Sequence, residues 1–515
     1  MRTFRNSTRW SVAAAAGLLA VSALPATAAP APGAATAPVP GRYLHQKLDW
    51  RPCDGGALEC APMAVPRDWR HPDAGPDLTV EVSRHRATGP GPRRGVLMMA
   101  AGGPGASGLD RPAGFAAHSP DLAAAYDVVG FDQRGVGAST RVVCSDQPTV
   151  DAFFATDLRD RSAPAVRATF ERARSFVRDC RRASGDLLPY LTTDQAVHDM
   201  DLFRALLGAA RISYYGPSYA TFLGAYYATE FPGRVQRMVL DSNVDFSGSW
   251  EAFMTGQPLS FQRRYTEDFL PWLAARDAVY HQGRTPAEAA AGYERLRRSL
   301  RDHPLDLDGT RVGPDNLDVF ATDSLYNTAG FAPLATALGV LARPEGADPA
   351  VRAALARRLQ HPMDARFFAD FFTVTCGDTP WNRSPDHWVR QSARETREHP
   401  LAGARELTFA AICASWPRAA AVPHIEVTGR GLPPVLMLNS EHDPATYYEG
   451  ALRAHRALPT SRLVTVTGGG DHGQFQNGNA CVDALVTGYL LDDRVPAGDT
   501  ACAANPLPAA AAARR

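Results

Sequence analysis

The sequence predicts an α/β fold, one mostly parallel sheet whose strand–helix rhythm is broken by a long helical insertion. Three observations carry the prediction. Two continuous apolar runs, residues 95–100 and 126–131, end at polar or glycine-rich turns, as strands buried on both faces of a parallel sheet do. Ala196, Met200, Phe203 and Leu207 fall at spacings of four, three and four, an amphipathic helix that leads into a β-branched and aromatic run at 212–215. The rhythm stops near residue 250 and returns at 434–438 and 462–466.

In chain order, residues 79–87 alternate like a half-exposed strand, and 95–100 opens directly into Gly102-Gly103-Pro104-Gly105. The strand at 126–131 ends at Asp132, the helix 194–208 ends at a glycine, and the strand 235–240 ends at Asp241. Residues 286–301, 347–359 and 387–397 have helical patterns, and convincing strands are few between 251 and 425. The expected organisation is a core in two parts, 46–250 and 426–515, with a mostly helical lid at 251–425. Ligands of open α/β sheets bind at the carboxyl ends of the strands, where such an insertion would sit.

The 515 residues are 45% hydrophobic and 21% charged, ordinary for a globular protein that can bury a full core. Formal charge is zero, so the chain lacks the footprint of a nucleic-acid or acidic-membrane binder. Lys47 is the one lysine, which excludes a P-loop lysine and argues against Schiff-base chemistry. Arg2, Arg5 and Arg9, an apolar stretch over 10–24 and Ala26-Thr27-Ala28 read as an export signal over 1–28, cleaved near Ala28 and giving a secreted protein. The apolar stretch is short for a membrane anchor, and no later segment is long enough to span a bilayer. Residues 29–45, rich in Ala and Pro in their first part, are expected to be a disordered lead-in.

Eight cysteines in an exported chain imply disulfides, and their grouping points to neighbours: Cys53 with Cys60, Cys144 with Cys180, Cys376 with Cys413, Cys481 with Cys502. Spacing alone leaves the connectivity open. Zinc is the alternative, but no C-x-x-C or H-E-x-x-H pattern occurs, so no metal is expected.

The chemistry centres on Gly216-Pro217-Ser218-Tyr219-Ala220. A serine between small residues on a tight strand-to-helix turn is a nucleophile elbow, with Oγ thrust out and a helix N-terminus aimed at the reacting carbonyl. A serine hydroxyl needs an imidazole to take its proton, and the imidazole needs a carboxylate to fix its tautomer. Asp443 follows the strand at 434–438 and His472 follows the strand at 462–466, the Ser–Asp–His order of this architecture. Glu441 competes for the role of acid, and His442 beside Asp443 competes as part of a metal site. His71, His118, His198 and His303 read as surface or packing residues, and Asp471 is expected to point away from the imidazole. Oxyanion donors should be backbone N–H groups, for which Gly103 and Tyr219 are the candidates. Asp132 and Arg134 are expected to brace the loops as an ion pair.

Taken together, A-G-G-P-G-A-S-G, F-D-Q-R-G-V-G-A-S, Y-Y-G-P-S-Y-A, L-D-S-N-V-D, the D-P-A-T at Asp443 and the D-H-G at His472 resemble the proline-iminopeptidase-like serine peptidases. The likeness is greater to their exported tripeptidyl-aminopeptidase branch, and it runs from about residue 50 to 502. It implies an α/β-hydrolase fold with a helical lid, a peptide substrate, no organic cofactor, and catalysis through Ser218, His472 and Asp443. It also implies a carboxylate in or under the lid that senses the substrate's free amine, for which Asp378, two residues beyond Cys376, is the candidate. A secreted carboxylesterase or amidase with the same triad is the alternative. Three positions depart from the family pattern: Ala220 and Asp471 stand where glycine is common, and Tyr447 where proline is.

Overall fold

The computed structural model describes residues 39–417 and 425–509. The expected export signal and most of the expected lead-in lie outside them. Within the described part of the lead-in, the expectation of disorder is wrong. Gly41–Leu44 is a short helix, and Tyr43 is buried with its hydroxyl bonded to Asp77.

The strands are β1 (Arg51–Cys53), β2 (Leu58–Val65), β3 (Leu78–His85), β4 (Gly95–Met99), β5 (Tyr126–Phe131), β6 (Ile212–Pro217), β7 (Val235–Asp241), β8 (Leu305–Leu307), β9 (Thr310–Val312), β10 (Val435–Ser440), β11 (Ser461–Thr467) and β12 (Thr500–Ala503). Ten form one sheet in the order β1-β2-β3-β5-β4-β6-β7-β10-β11-β12. β1, β2, β3 and β5 pair antiparallel, and every pairing from β5 across to β12 is parallel. The strand period of two sorts side chains onto opposite faces. Leu97, Val128, Tyr215, Val239, Leu436 and Val464 share one buried cluster, whereas Met98, Val129, Tyr214, Met238, Met437 and Leu463 belong to another. This two-sided burial is why these strands read as unbroken apolar runs.

Among the described residues between β7 and β10, the strands are those of the small β8–β9 hairpin, and the regular structure is otherwise helical. Much of that region has a core of its own, with Phe269, Trp272, Tyr293, Leu317, Phe331 and Leu338 among its buried members. Thr285, Ser384 and Asp348 cap helix N-termini there, each followed by proline at the first helical turn. Ties to the sheet are polar as well as apolar. Ser260 donates to the Asp443 carbonyl (2.5 Å), and Trp250 N–H donates to Thr379 Oγ1 (2.9 Å).

All eight cysteines are bonded, in the four neighbour pairs expected. Cys144–Cys180 joins the loop after β5 to the helix Ala163–Ser184, and Cys481–Cys502 joins the helix Ala480–Asp492 to β12. Such pairing belongs to an oxidising compartment. Among the described residues, no helix is long and apolar enough to cross a membrane.

Candidate active site

Ser218 lies between the end of β6 and the helix Tyr219–Glu230, with φ 60° and ψ −128°. Positive φ is costly for a residue with a Cβ, so the turn must be held from outside. It is: Ser218 N–H donates to the Asp241 carbonyl (2.8 Å), and Thr221 Oγ1 donates back to the Ser218 carbonyl (2.6 Å). The surroundings are close. A Cβ at Gly216 or Gly224 would collide with the Tyr214 ring, while the Tyr214 hydroxyl bonds to the Ala220 carbonyl (2.7 Å). Ala220 itself fits fully buried beneath the elbow.

His472 Nδ1 is 3.0 Å from each carboxylate oxygen of Asp443. Asp443 is fully buried, and its carboxylate also accepts from Ala445 N–H (2.9 Å), Thr446 N–H (2.8 Å) and Thr446 Oγ1 (2.8 Å). With Nδ1–H committed to Asp443, the neutral ring carries its lone pair on Nε2. Burial disfavours the charged ring, but the Asp443 carboxylate outweighs it, and the His472 pKa is raised. Glu441 takes no part, since its carboxylate accepts from Gly468 N–H (2.8 Å). His442 faces Asp268 (2.9 Å) and shares no group with Asp443.

A second buried carboxylate shapes the histidine loop. Asp241, at the end of β7, accepts from Tyr215 OH (2.9 Å), Gln474 N–H (2.9 Å) and Phe475 N–H (3.0 Å). Asp471 points away from the imidazole into the lid. It accepts from the fully buried Arg264 (2.7 Å), Thr328 N–H (2.7 Å) and Asn477 (3.0 Å). The lid grips the loop again where His472 N–H donates to the Tyr326 carbonyl (2.8 Å) and the two rings meet edge to face. Asp471 and Tyr447 thus have a structural reason to depart from the family pattern. Asp471 ties the histidine loop to the lid, and Tyr447 stacks on Phe253 of a lid helix.

Gly102 and Gly103 line the same cavity as Ser218 and His472. A Cβ on Gly102 would press on that of Ser218 at 3.0 Å, and Gly103 has φ 111°, a conformation that favours glycine. Tyr219 opens the helix after Ser218, where backbone N–H groups have no partner within the helix. The loop beyond Gly103 is braced by Asp132, which accepts from Ser107 Oγ (2.6 Å), Gly108 N–H (2.9 Å) and Ala138 N–H (2.8 Å). Asp132 and Arg134 do not pair with each other. Arg134 forms a buried ion pair with Asp199 (2.6 Å), because the tight turn after β5 sends the two side chains apart.

The cavity, of about 1040 Å³, lies beneath lid helices that contribute Phe367, Phe371 and Phe409 to its wall. Asp378 is not in it. Its carboxylate accepts from Thr193 N–H (2.8 Å), Thr193 Oγ1 (2.6 Å) and Trp250 Nε1 (3.2 Å), so it is spent joining the lid to the core. Burial pushes its pKa up to about 6. The cavity's carboxylates are instead Asp110, beside Arg111 on an exposed turn, and Asp323 on the lid. Asp323 is exposed to the cavity and has no donor among the described residues; the protein crowded around it raises its pKa to about 6 against the pull of Arg405 and Arg358. His118 reaches the cavity wall with its Nδ1 bonded to the Gly114 carbonyl (2.8 Å). His198 is a packing residue between Trp69 and Phe231. A grouping of Glu395, Glu398 and His399 lies elsewhere on the lid and shares no residue with the cavity.

A family model described as TAP-like protein matches residues 399–502. Over 489 residues the chain is 35% identical to a tripeptidyl aminopeptidase of Streptomyces lividans, covering 91% of this chain and 88% of that one. The chain belongs to the tripeptidyl-aminopeptidase-like α/β-hydrolases. Serine protease Hip1 of Mycobacterium tuberculosis is 30% identical over 496 residues, 89% of this chain and 91% of its own. Carboxylesterase B of the same organism is 30% identical over 517 residues, 95% of this chain and 96% of its own. This tripeptidyl-aminopeptidase-like chain is accordingly a serine hydrolase.

Proposed function

We propose that the protein is an exported serine exopeptidase that releases short peptides or amino acids from free N-termini through an acyl-enzyme. The observation that carries this reading is a carboxylate with no donor among the described residues, Asp323, exposed on the wall of the cavity that also holds Ser218 and His472. A charged hydrogen bond to a substrate ammonium is stronger than a neutral one.

Ser218 Oγ attacks the peptide carbonyl while His472 Nε2 takes its proton. The N–H groups of Gly103 and Tyr219 stabilise the oxyanion, and the C–N bond breaks as His472 returns the proton to the leaving amine. Water, deprotonated by the same imidazole, then hydrolyses the acyl-enzyme. Asp443 holds the ring and stabilises its charged form. The relatives named as peptidases support peptide substrates. The disulfides and the basic, then apolar N-terminal sequence support export, with cleavage near Ala28.

The aromatic wall of Phe367, Phe371 and Phe409, together with the relative named as a carboxylesterase, favours ester or amide hydrolysis as the second reading. Mass spectrometry of a digested decapeptide separates the two. An exopeptidase yields a ladder of short fragments from the amino end and leaves the N-acetylated decapeptide intact. Equal digestion of both peptides, or turnover of esters alone, would put the second reading first.

A further inference from the structure

Arg405 is a half-buried cation beside the candidate active site, with no ion pair among the described residues. It lines the cavity with Asp323, Tyr326 and His472. Its guanidinium lies over the Phe261 ring at 4.5 Å and the Phe409 ring at 5.7 Å, which fixes its plane. Among the described residues it has no hydrogen-bond acceptor, and no carboxylate forms an ion pair with it. Its guanidinium nitrogens are not sealed off either, for they are absent from the buried atoms left unpartnered. Asp323 and Tyr326 act on it only at longer range, and burial lowers its pKa.

The backbone that presents it is pinned. Arg161 donates to the Ala404 carbonyl (3.0 Å), and Gly403 N–H donates to the His399 carbonyl (2.8 Å). Gly403 is also pressed so closely on the Glu395 backbone that a side chain there would clash. A planar cation with free N–H groups, locked in place on the cavity wall, is a receptor for a planar anion.

We propose that Arg405 is a carboxylate-binding subsite, with Asp323 as its opposite pole, so that the enzyme favours peptides bringing a carboxylate to Arg405 while their free amine sits at Asp323. The inference rests on the aminopeptidase reading above. The carboxylate has two possible sources, an acidic side chain near the amino end or the free C-terminus of a short peptide.

The test is kcat/KM for free-amine peptides in matched pairs: Glu against Gln at each of the first three positions, and a free against an amidated C-terminus. Wild-type enzyme should favour the charged member of at least one pair tenfold or more. A Glu preference identifies the side chain as the source, and an acid-over-amide preference identifies the C-terminus. In Arg405→Gln, titrated for intact sites with a fluorophosphonate, that ratio should fall to near one. Arg405→Lys, which keeps the charge but loses the fork, should retain part of it. Equal wild-type rates in every pair overturn the proposal without any variant, as does an undiminished ratio in Arg405→Gln. Failure of the aminopeptidase reading would look different, with acetylated peptides cleaved as fast as free ones whatever their charge.

Discussion

At the scale of single residues, the triad candidates are separated from their competitors by what each side chain already holds. Asp443 spends both oxygens on His472 and Thr446, whereas Glu441 caps the backbone at Gly468 on the other side of the loop. Asp443→Asn should therefore lower kcat by a thousandfold or more, because the ring then loses its tautomer, while Glu441→Gln should stay within a few-fold of wild type. Ser218→Ala should cost about 10³-fold or more with the fold intact, and His472→Ala should match it, since triad members act as a unit. Steady-state rates corrected for folded protein check all four. A Ser218→Ala enzyme with a tenth of wild-type turnover would remove the assignment. The motif residues were legible in the sequence because their chemistry depends on local turns: small residues around Ser218 and loops after late strands for Asp443 and His472. Asp323 and Arg405 carried no such signal. Each is one polar residue among many on lid helices, and only tertiary packing decides which of them faces the cavity. Asp378 misled for the same reason, since a disulfide neighbour fixes a residue's position without saying where its side chain goes.

At the scale of elements, the long apolar strands were the most readable because both faces of the parallel sheet are covered. Strands β1, β2 and β12 were missed: β1 and β12 are short edge strands, and β2 carries proline and polar residues on a partly exposed face. The helix Ala365–Asp378 shows how the lid touches the oxyanion loop. Phe367 packs at Gly103, and Asp370, only 6% exposed, packs against Gly105. Burial first, then Asp364 and Asp132, raises the Asp370 pKa from 3.8 to about 8. Between those two values the folded state holds a proton that the unfolded chain has released, so stability falls as pH rises. Asp370→Asn cannot ionise and removes that loss. It should be more stable than wild type by on the order of 1 kcal/mol or more at pH 8, with the difference vanishing near pH 4. Chemical denaturation at the two pH values reads this directly, and a variant less stable than wild type at pH 8 would refute it.

At the scale of the whole molecule, sheet and lid divide the work. The sheet ends hold Ser218, Asp443 and the glycines of the oxyanion loop, while the lid supplies Asp323, Arg405 and the aromatic wall. The histidine loop is held by both, through Asp241 below and through Arg264, Thr328 and Tyr326 above. The lid therefore both shapes the cavity and anchors the loop that carries His472, the proposed general base. The measurement that reaches the central claim most directly is the ratio of kcat/KM for a free peptide to that for its N-acetylated form, in wild type and in Asp323→Asn. A charged hydrogen bond between the substrate ammonium and Asp323 is lost on acetylation, so wild type should favour the free peptide about tenfold or more, and in Asp323→Asn the ratio should fall to within a few-fold of one. An Asp323→Asn enzyme that kept the wild-type ratio, with Asp110→Asn losing it instead, would contradict the account.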